Sequence, residues 1–131
     1  EKLVRRLNLG NRVKLLNQYL NREEMSLRLR AADVVVLPYH QATQSGVAMA
    51  ALACGAPVIA TDAGSLPEVI EPGVLGQIVP RGDADALARA MDQFLEIPLE
   101  EREEMKKRIA PLARERFGWD RLVSIVEQGE V

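Results

Sequence analysis

Pro57-Val58-Ile59-Ala60-Thr61-Asp62-Ala63-Gly64-Ser65-Leu66-Pro67-Glu68-Val69-Ile70 decides the reading of the fold. Its first five residues run apolar without alternation, the pattern of a strand buried on both faces, as in parallel sheets. Asp62-Ala63-Gly64-Ser65 is turn-rich, and residues 66–70 read as a short helix with Pro67 near its start. Upstream, Asp33-Val34-Val35-Val36-Leu37-Pro38 has the same unalternating character. A polar loop over 39–44 and a small-residue helix over 45–53, stopped at Gly55, join the two strands. Downstream, Gly76-Gln77-Ile78-Val79-Pro80 reads as a last short strand. Asp83 then caps a helix with Leu87, Ala90, Met91, Phe94 and Leu95 on one face. Residues 99–117 are charged and helical, with Pro111 expected to kink or split them, and 120–126 read as a final helix.

Toward the amino terminus, Asn21 is placed to cap a helix whose first turn carries Glu23 and Glu24, next to Met25, Leu27 and Leu29. Residues 12–16 read as a strand, and 1–9 as the tail of a helix stopped by Gly10. Strands alternate with helices throughout, so the expected fold is α/β: a Rossmann-like parallel sheet with flanking helices, in one domain over 1–131.

A chain of 131 residues, 47% hydrophobic and 27% charged, suits a globular domain with a real core. A net charge of −2 argues against a dedicated nucleic-acid binder. No apolar run approaches the roughly 20 residues of a membrane span, and the first residues lack the apolar stretch of a signal peptide. One cysteine, Cys54, excludes an internal disulfide framework and fits a reducing compartment, and it reads as a core residue. One histidine beside it argues against a zinc site.

Ligands of open α/β sheets bind beyond the carboxyl ends of the strands, so the loops there are the candidate site. Thr43-Gln44-Ser45-Gly46-Val47 opens a helix whose free N–H groups and dipole suit an anion. Gly46 admits a phosphate to the backbone without a Cβ in the way, and Ser45 either caps the helix or bonds a phosphate oxygen. Equally, the segment reads as a bare strand-to-helix turn with a serine cap. Gly64 permits positive φ in the second loop, where backbone N–H groups near Ser65 are placed to meet a sugar or phosphate. Asp62 and Glu68 are potential hydroxyl acceptors there, or a turn residue and a first-turn residue with no ligand. His40, the only histidine, is a candidate for a sugar hydroxyl or pyrophosphate, or a solvated loop residue. Tyr39 stacks beside a sugar or base, or covers the core edge.

Taken together, Ala31-Ala32-Asp33-Val34-Val35-Val36-Leu37-Pro38 and the run from Ala53-Cys54-Gly55-Ala56 through Pro57 to Ile70 resemble the donor-binding domain of the family 4 (group 1) retaining glycosyltransferases. Glu71-Pro72-Gly73-Val74-Leu75-Gly76 onward to Asp83 is similar to their following strand and turn, and Arg116-Phe117-Gly118-Trp119 to their carboxyl-terminal aromatic signature. The resemblance implies the carboxyl-terminal half of a GT-B fold, truncated at its amino terminus. It implies a nucleotide-sugar donor of UDP or GDP type as substrate, with no metal and no further cofactor. It also implies transfer with retention to a glycan or lipid-linked acceptor, in the cytoplasm or at the inner face of the cell membrane. In the family, a Glu, seven residues and a second Glu flank the phosphate loop. Here those places hold Ala42 and Ala50, and Thr43-Gln44-Ser45 stands for the usual Gly-Phe-Gly. Alanine supplies neither charge nor side-chain acceptor. Two accounts compete: a variant subgroup, similar to enzymes of exopolysaccharide assembly, that keeps a Thr-Gln-Ser-Gly loop, and a relative whose donor chemistry has decayed. The intact loop favours the variant enzyme. Asn17-Gln18-Tyr19 replaces the commoner Gly-aromatic pair near the base.

The resemblance begins part-way through the family's domain. Two strands, their Gly-rich turn, a basic Arg/Lys pair and the amino-terminal acceptor domain are missing, so the piece alone is expected to be inactive. The missing strands belong between the strand at 12–16 and the one at 33–38, leaving a gap or an exposed sheet edge that a dimer would close. No residue here is assigned the catalytic role. A non-catalytic binding or assembly module and an unrelated nucleotide-binding domain are the alternative readings.

Overall fold

The computed structural model describes residues 1–43 and 45–118. Along the chain run α1 (Lys2–Arg6), α2 (Arg22–Ala31), β1 (Val35–Leu37), α3 (Gly46–Ala53), β2 (Val58–Thr61), α4 (Leu66–Val69), β3 (Gly76–Val79), α5 (Ala84–Glu96) and α6 (Leu99–Phe117). The strands form one parallel sheet in the order β1-β2-β3. Register pairs Leu37 with Ala60 and Thr61 with Val79, so the strands end together and their outgoing loops share one rim.

The sheet is covered on both faces, and strand periodicity explains how. Val58 and Ala60 point one way and join the cluster built by α3, Leu29 of α2, and Ile109 and Ala113 of α6. Ile59 points the other way and meets Val79 with Ala90 and Phe94 of α5. All four residues of β2 are therefore buried, as its unalternating sequence predicts. The small residues of α3 let it sit close to the sheet, and Ala51 and Leu52 have no accessible surface. Burying one leucine of this kind stabilises the fold by about 2 kcal/mol.

Local chemistry sets most helix ends. Asn21 accepts from the Glu24 N–H at 2.9 Å, and Glu24 accepts from the Asn21 N–H at 3.1 Å, a reciprocal capping box. Asn21→Ala is expected to cost about 1 kcal/mol, read as a lower urea midpoint at unchanged slope. Asp83 caps α5 through the Ala86 N–H at 2.9 Å. The end of α3 closes with the Ala56 N–H on Ala51 O and the Gly55 N–H on Leu52 O, the paired bonds of a Schellman motif. Cys54 is half-buried beside this end, 3.9 Å from the Ser26 hydroxyl. Lys106 of α6 donates to the carbonyls of Arg30 and Ala32 at 3.0 and 2.7 Å, so α6 caps the end of α2 across the fold.

Three expectations need correction. Residues 12–16 form no strand: Val13, Leu15 and Leu16 are exposed, and among the described residues β1 pairs only with β2. A strand needs a neighbour to satisfy its backbone, and apolar pattern alone does not provide one. The first helix ends at Arg6, before Gly10, because Asn8 takes a left-handed φ of 53°. Pro111 does not split α6, which runs unbroken for 19 residues with Ile109 and Ala113 anchored in the core on either side of it. The helix expected over 120–126, and Trp119 of the aromatic signature, lie outside the described residues.

Candidate functional site

β1 ends at Leu37, and the chain leaves the sheet at Pro38. It returns as α3, with Ser45 as N-cap: the Ser45 hydroxyl accepts from the Ala48 N–H at 3.1 Å, and the Ser45 carbonyl from the Met49 N–H at 3.3 Å. The serine hydroxyl is thus a helix cap, of the two roles open to it. Helix geometry leaves the N–H groups of Gly46 and Val47 without intrahelical acceptors. Both residues line a cavity of about 500 Å³, with Ser45 on the helix side and Tyr39, Gln41, Ala42 and Thr43 on the loop side. None of these seven side chains carries a charge. The positive end of the α3 dipole lies on this side of the cavity.

The second loop supports the first from behind. Gly64 has φ 54°, and a Cβ built on it would overlap the carbonyl oxygen of Ala42 and stand 3.3 Å from the Thr43 nitrogen. The two loops therefore meet backbone to backbone. Beneath them, the Thr61 hydroxyl donates to the Tyr39 carbonyl at 2.6 Å.

Of the residues singled out in the sequence, Tyr39, Thr43, Ser45, Gly46 and Val47 line one cavity, and Gly64 backs it. Gln44 lies outside the described residues. His40 falls elsewhere, in a separate hollow of about 170 Å³ with Pro38, Thr61, Pro80, Asp83 and Leu87. Asp62 is engaged: its Oδ1 accepts from the Arg81 N–H at 3.0 Å and pairs with Arg81 Nε at 3.1 Å, joining the ends of β2 and β3. Ser65 precedes α4 without a side-chain cap bond, and Glu68 is exposed in its first turn. Sequence reasoning missed Gln41 as a lining residue, Arg81 as partner of Asp62, and the Thr61 bond to Tyr39. Each depends on which strand ends lie side by side, which no local signal carries.

Ala42 lines the cavity, whereas Ala50 is 1% exposed and packs in the core below. Among the described residues, no group of three or more His, Cys, Asp or Glu is placed to hold a metal ion. No described helix is long and apolar enough to cross a membrane.

A model of the family described as glycosyl transferases group 1 matches residues 1–111. The D-inositol 3-phosphate glycosyltransferase of Streptomyces griseus is 33% identical over 127 residues, covering 95% of this chain and 26% of that protein. The corresponding protein of Paenarthrobacter aurescens is 39% identical over 106 residues, covering 78% of this chain and 24% of that one. Among solved structures, sucrose-phosphate synthase from Thermosynechococcus elongatus superposes with a TM-score of 0.81 at 33% identity, over 98% of this chain and 31% of that chain. Anabaena Alr3699/HepE in complex with UDP and glucose superposes with a TM-score of 0.70 at 29% identity, over 97% of this chain and 33% of that chain. The chain thus spans 26% of the length of the first of these relatives.

Proposed function

Because the chain belongs to the group 1 glycosyl transferases, we propose that it is the donor-binding part of an enzyme that moves a sugar from a nucleotide to a glycan or lipid-linked acceptor. One observation carries the reading: Gly46 and Val47, whose N–H groups have no intrahelical acceptor, line a cavity of about 500 Å³ with no charged side chain in its lining, at the carboxyl rim of a parallel sheet. A nucleoside diphosphate, as leaving group, gathers charge on its β-phosphate while the glycosidic bond breaks. Fixed N–H dipoles at Ser45, Gly46 and Val47 stabilise that charge without reorganising, the usual large term in such catalysis. The UDP and glucose held by Anabaena HepE, which shares the fold at 29% identity, support a UDP-type donor. Transfer proceeds with retention, and the acceptor is met at the inner face of the cell membrane. The partner that completes the enzyme is an acceptor-binding domain facing this rim.

A second reading, a non-catalytic module, draws on Ala42 and Ala50, which leave no carboxylate among the side chains lining the cavity. Calorimetric titration of the full-length protein with UDP, GDP and ADP and their sugar conjugates separates the two. The enzyme reading expects saturable binding of one uridine or guanosine conjugate and release of its diphosphate when acceptor glycan is supplied. Binding without release favours the module. A folded protein that binds none of them refutes a donor site altogether.

A further inference from the structure

We propose that Thr61 is a positioning residue that holds the phosphate loop in its binding geometry, an inference that rests on the donor-site reading above. Thr61 is 4% exposed, and among the described residues it is the only buried polar one. It ends β2, in register with Val79 of β3, so its own backbone is fixed by the sheet. Its hydroxyl reaches sideways, donating to the Tyr39 carbonyl at 2.6 Å. That carbonyl lies two residues past Leu37, beyond the last paired position of β1. The hydroxyl thus ties the start of the loop to the central strand beyond the end of the ladder. Three residues on, the Ala42 carbonyl packs against Gly64, which leaves Thr61 by a short turn on the same strand end. The loop is thus held by the end of β2 at Tyr39 and packed against the turn that follows β2 at Ala42. Donors aimed at an anion act through their fixed placement, so loosening the tether weakens binding even though Thr61 itself touches no ligand.

Thr61→Val keeps the shape and the β-branched strand preference but removes the donor, whereas Thr61→Ser keeps the donor. In the full-length protein, affinity for UDP and GDP is measured by calorimetry, with thermal midpoints recorded alongside. Hydrogen exchange of the Ala48 and Met49 amides, both bonded to Ser45, reads the end of the loop without nucleotide. Thr61→Val is expected to weaken nucleotide binding about tenfold, the worth of one well-placed hydrogen bond, and to speed both amides by a similar factor. Thr61→Ser is expected to stay within about twofold of the native protein on both readouts. A lower thermal midpoint in Thr61→Val with native affinity and exchange would mean that Thr61 only supports the core, and overturns the proposal. So would a serine variant that fails as the valine does. If the native protein binds neither nucleotide, the donor-site reading falls, and the exchange readings alone decide whether Thr61 holds the loop.

Discussion

Gly64→Ala is expected to destabilise the domain by about 3 kcal/mol or more and to abolish nucleotide binding with it. Two independent costs add. An alanine at φ 54° sits in the left-handed region, which costs about 1–2 kcal/mol for a residue with a Cβ. The new methyl also overlaps the Ala42 carbonyl oxygen and stands 2.6 Å from its carbon, and both are backbone atoms that no rotamer change can move aside. Relief requires the two loops to separate, which displaces the wall of the cavity. Gly82→Ala is the control: its φ is 71°, but a Cβ there meets nothing within 4 Å. It is expected to lose only about 1–2 kcal/mol and to leave binding intact. Urea melts of both variants, followed by titration of any that remain folded, test the pair. Equal stability of the two would show that the loops are not in contact.

Gly46→Val is expected to give the opposite separation: near-native stability with binding weakened at least about tenfold, the worth of one lost hydrogen bond to a charged group. Position 46 is the first of α3, with helical backbone and a capping serine before it. Valine adopts that conformation, and its helix propensity exceeds that of glycine by a few tenths of a kcal/mol. Its isopropyl group, however, stands over the first-turn N–H groups in the cavity that Gly46 lines. A phosphate oxygen must come within about 2.9 Å of those groups to bond them, and the side chain occupies that approach. A folded Gly46→Val protein with native affinity for UDP would move the donor site away from α3.

Much of this architecture is legible in the chain because its determinants are local. Asn21, Ser45 and Asp83 announce helix starts because a cap needs only its own next three residues. The unalternating Val58-Ile59-Ala60 run announces a doubly covered strand because burial on two faces removes any reason for polar residues. The failures share the opposite property. Residues 12–16 carry strand-like apolar residues, yet strand formation depends on a distant partner, and among the described residues none pairs with them. Pro111 is tolerated because tertiary packing of Ile109 and Ala113 outweighs one lost helix bond. Within the site, the crevice loops and the five lining residues Tyr39, Thr43, Ser45, Gly46 and Val47 follow from sheet topology plus glycine and cap chemistry. The split that sends His40 to a different hollow does not, because it depends on how the chain bends at residues 40 and 41. Nor does the Asp62–Arg81 pair, made only when β2 and β3 lie in register.

The central claim, that the first turn of α3 is the diphosphate site, is tested most directly by following backbone amide resonances of the 15N-labelled full-length protein during titration with UDP. The account predicts that the Gly46 and Val47 N–H signals shift downfield and saturate with the calorimetric affinity. Inorganic diphosphate is expected to reproduce those shifts, and uridine is not. Saturating UDP that leaves Gly46 and Val47 unmoved while shifting other amides would contradict it.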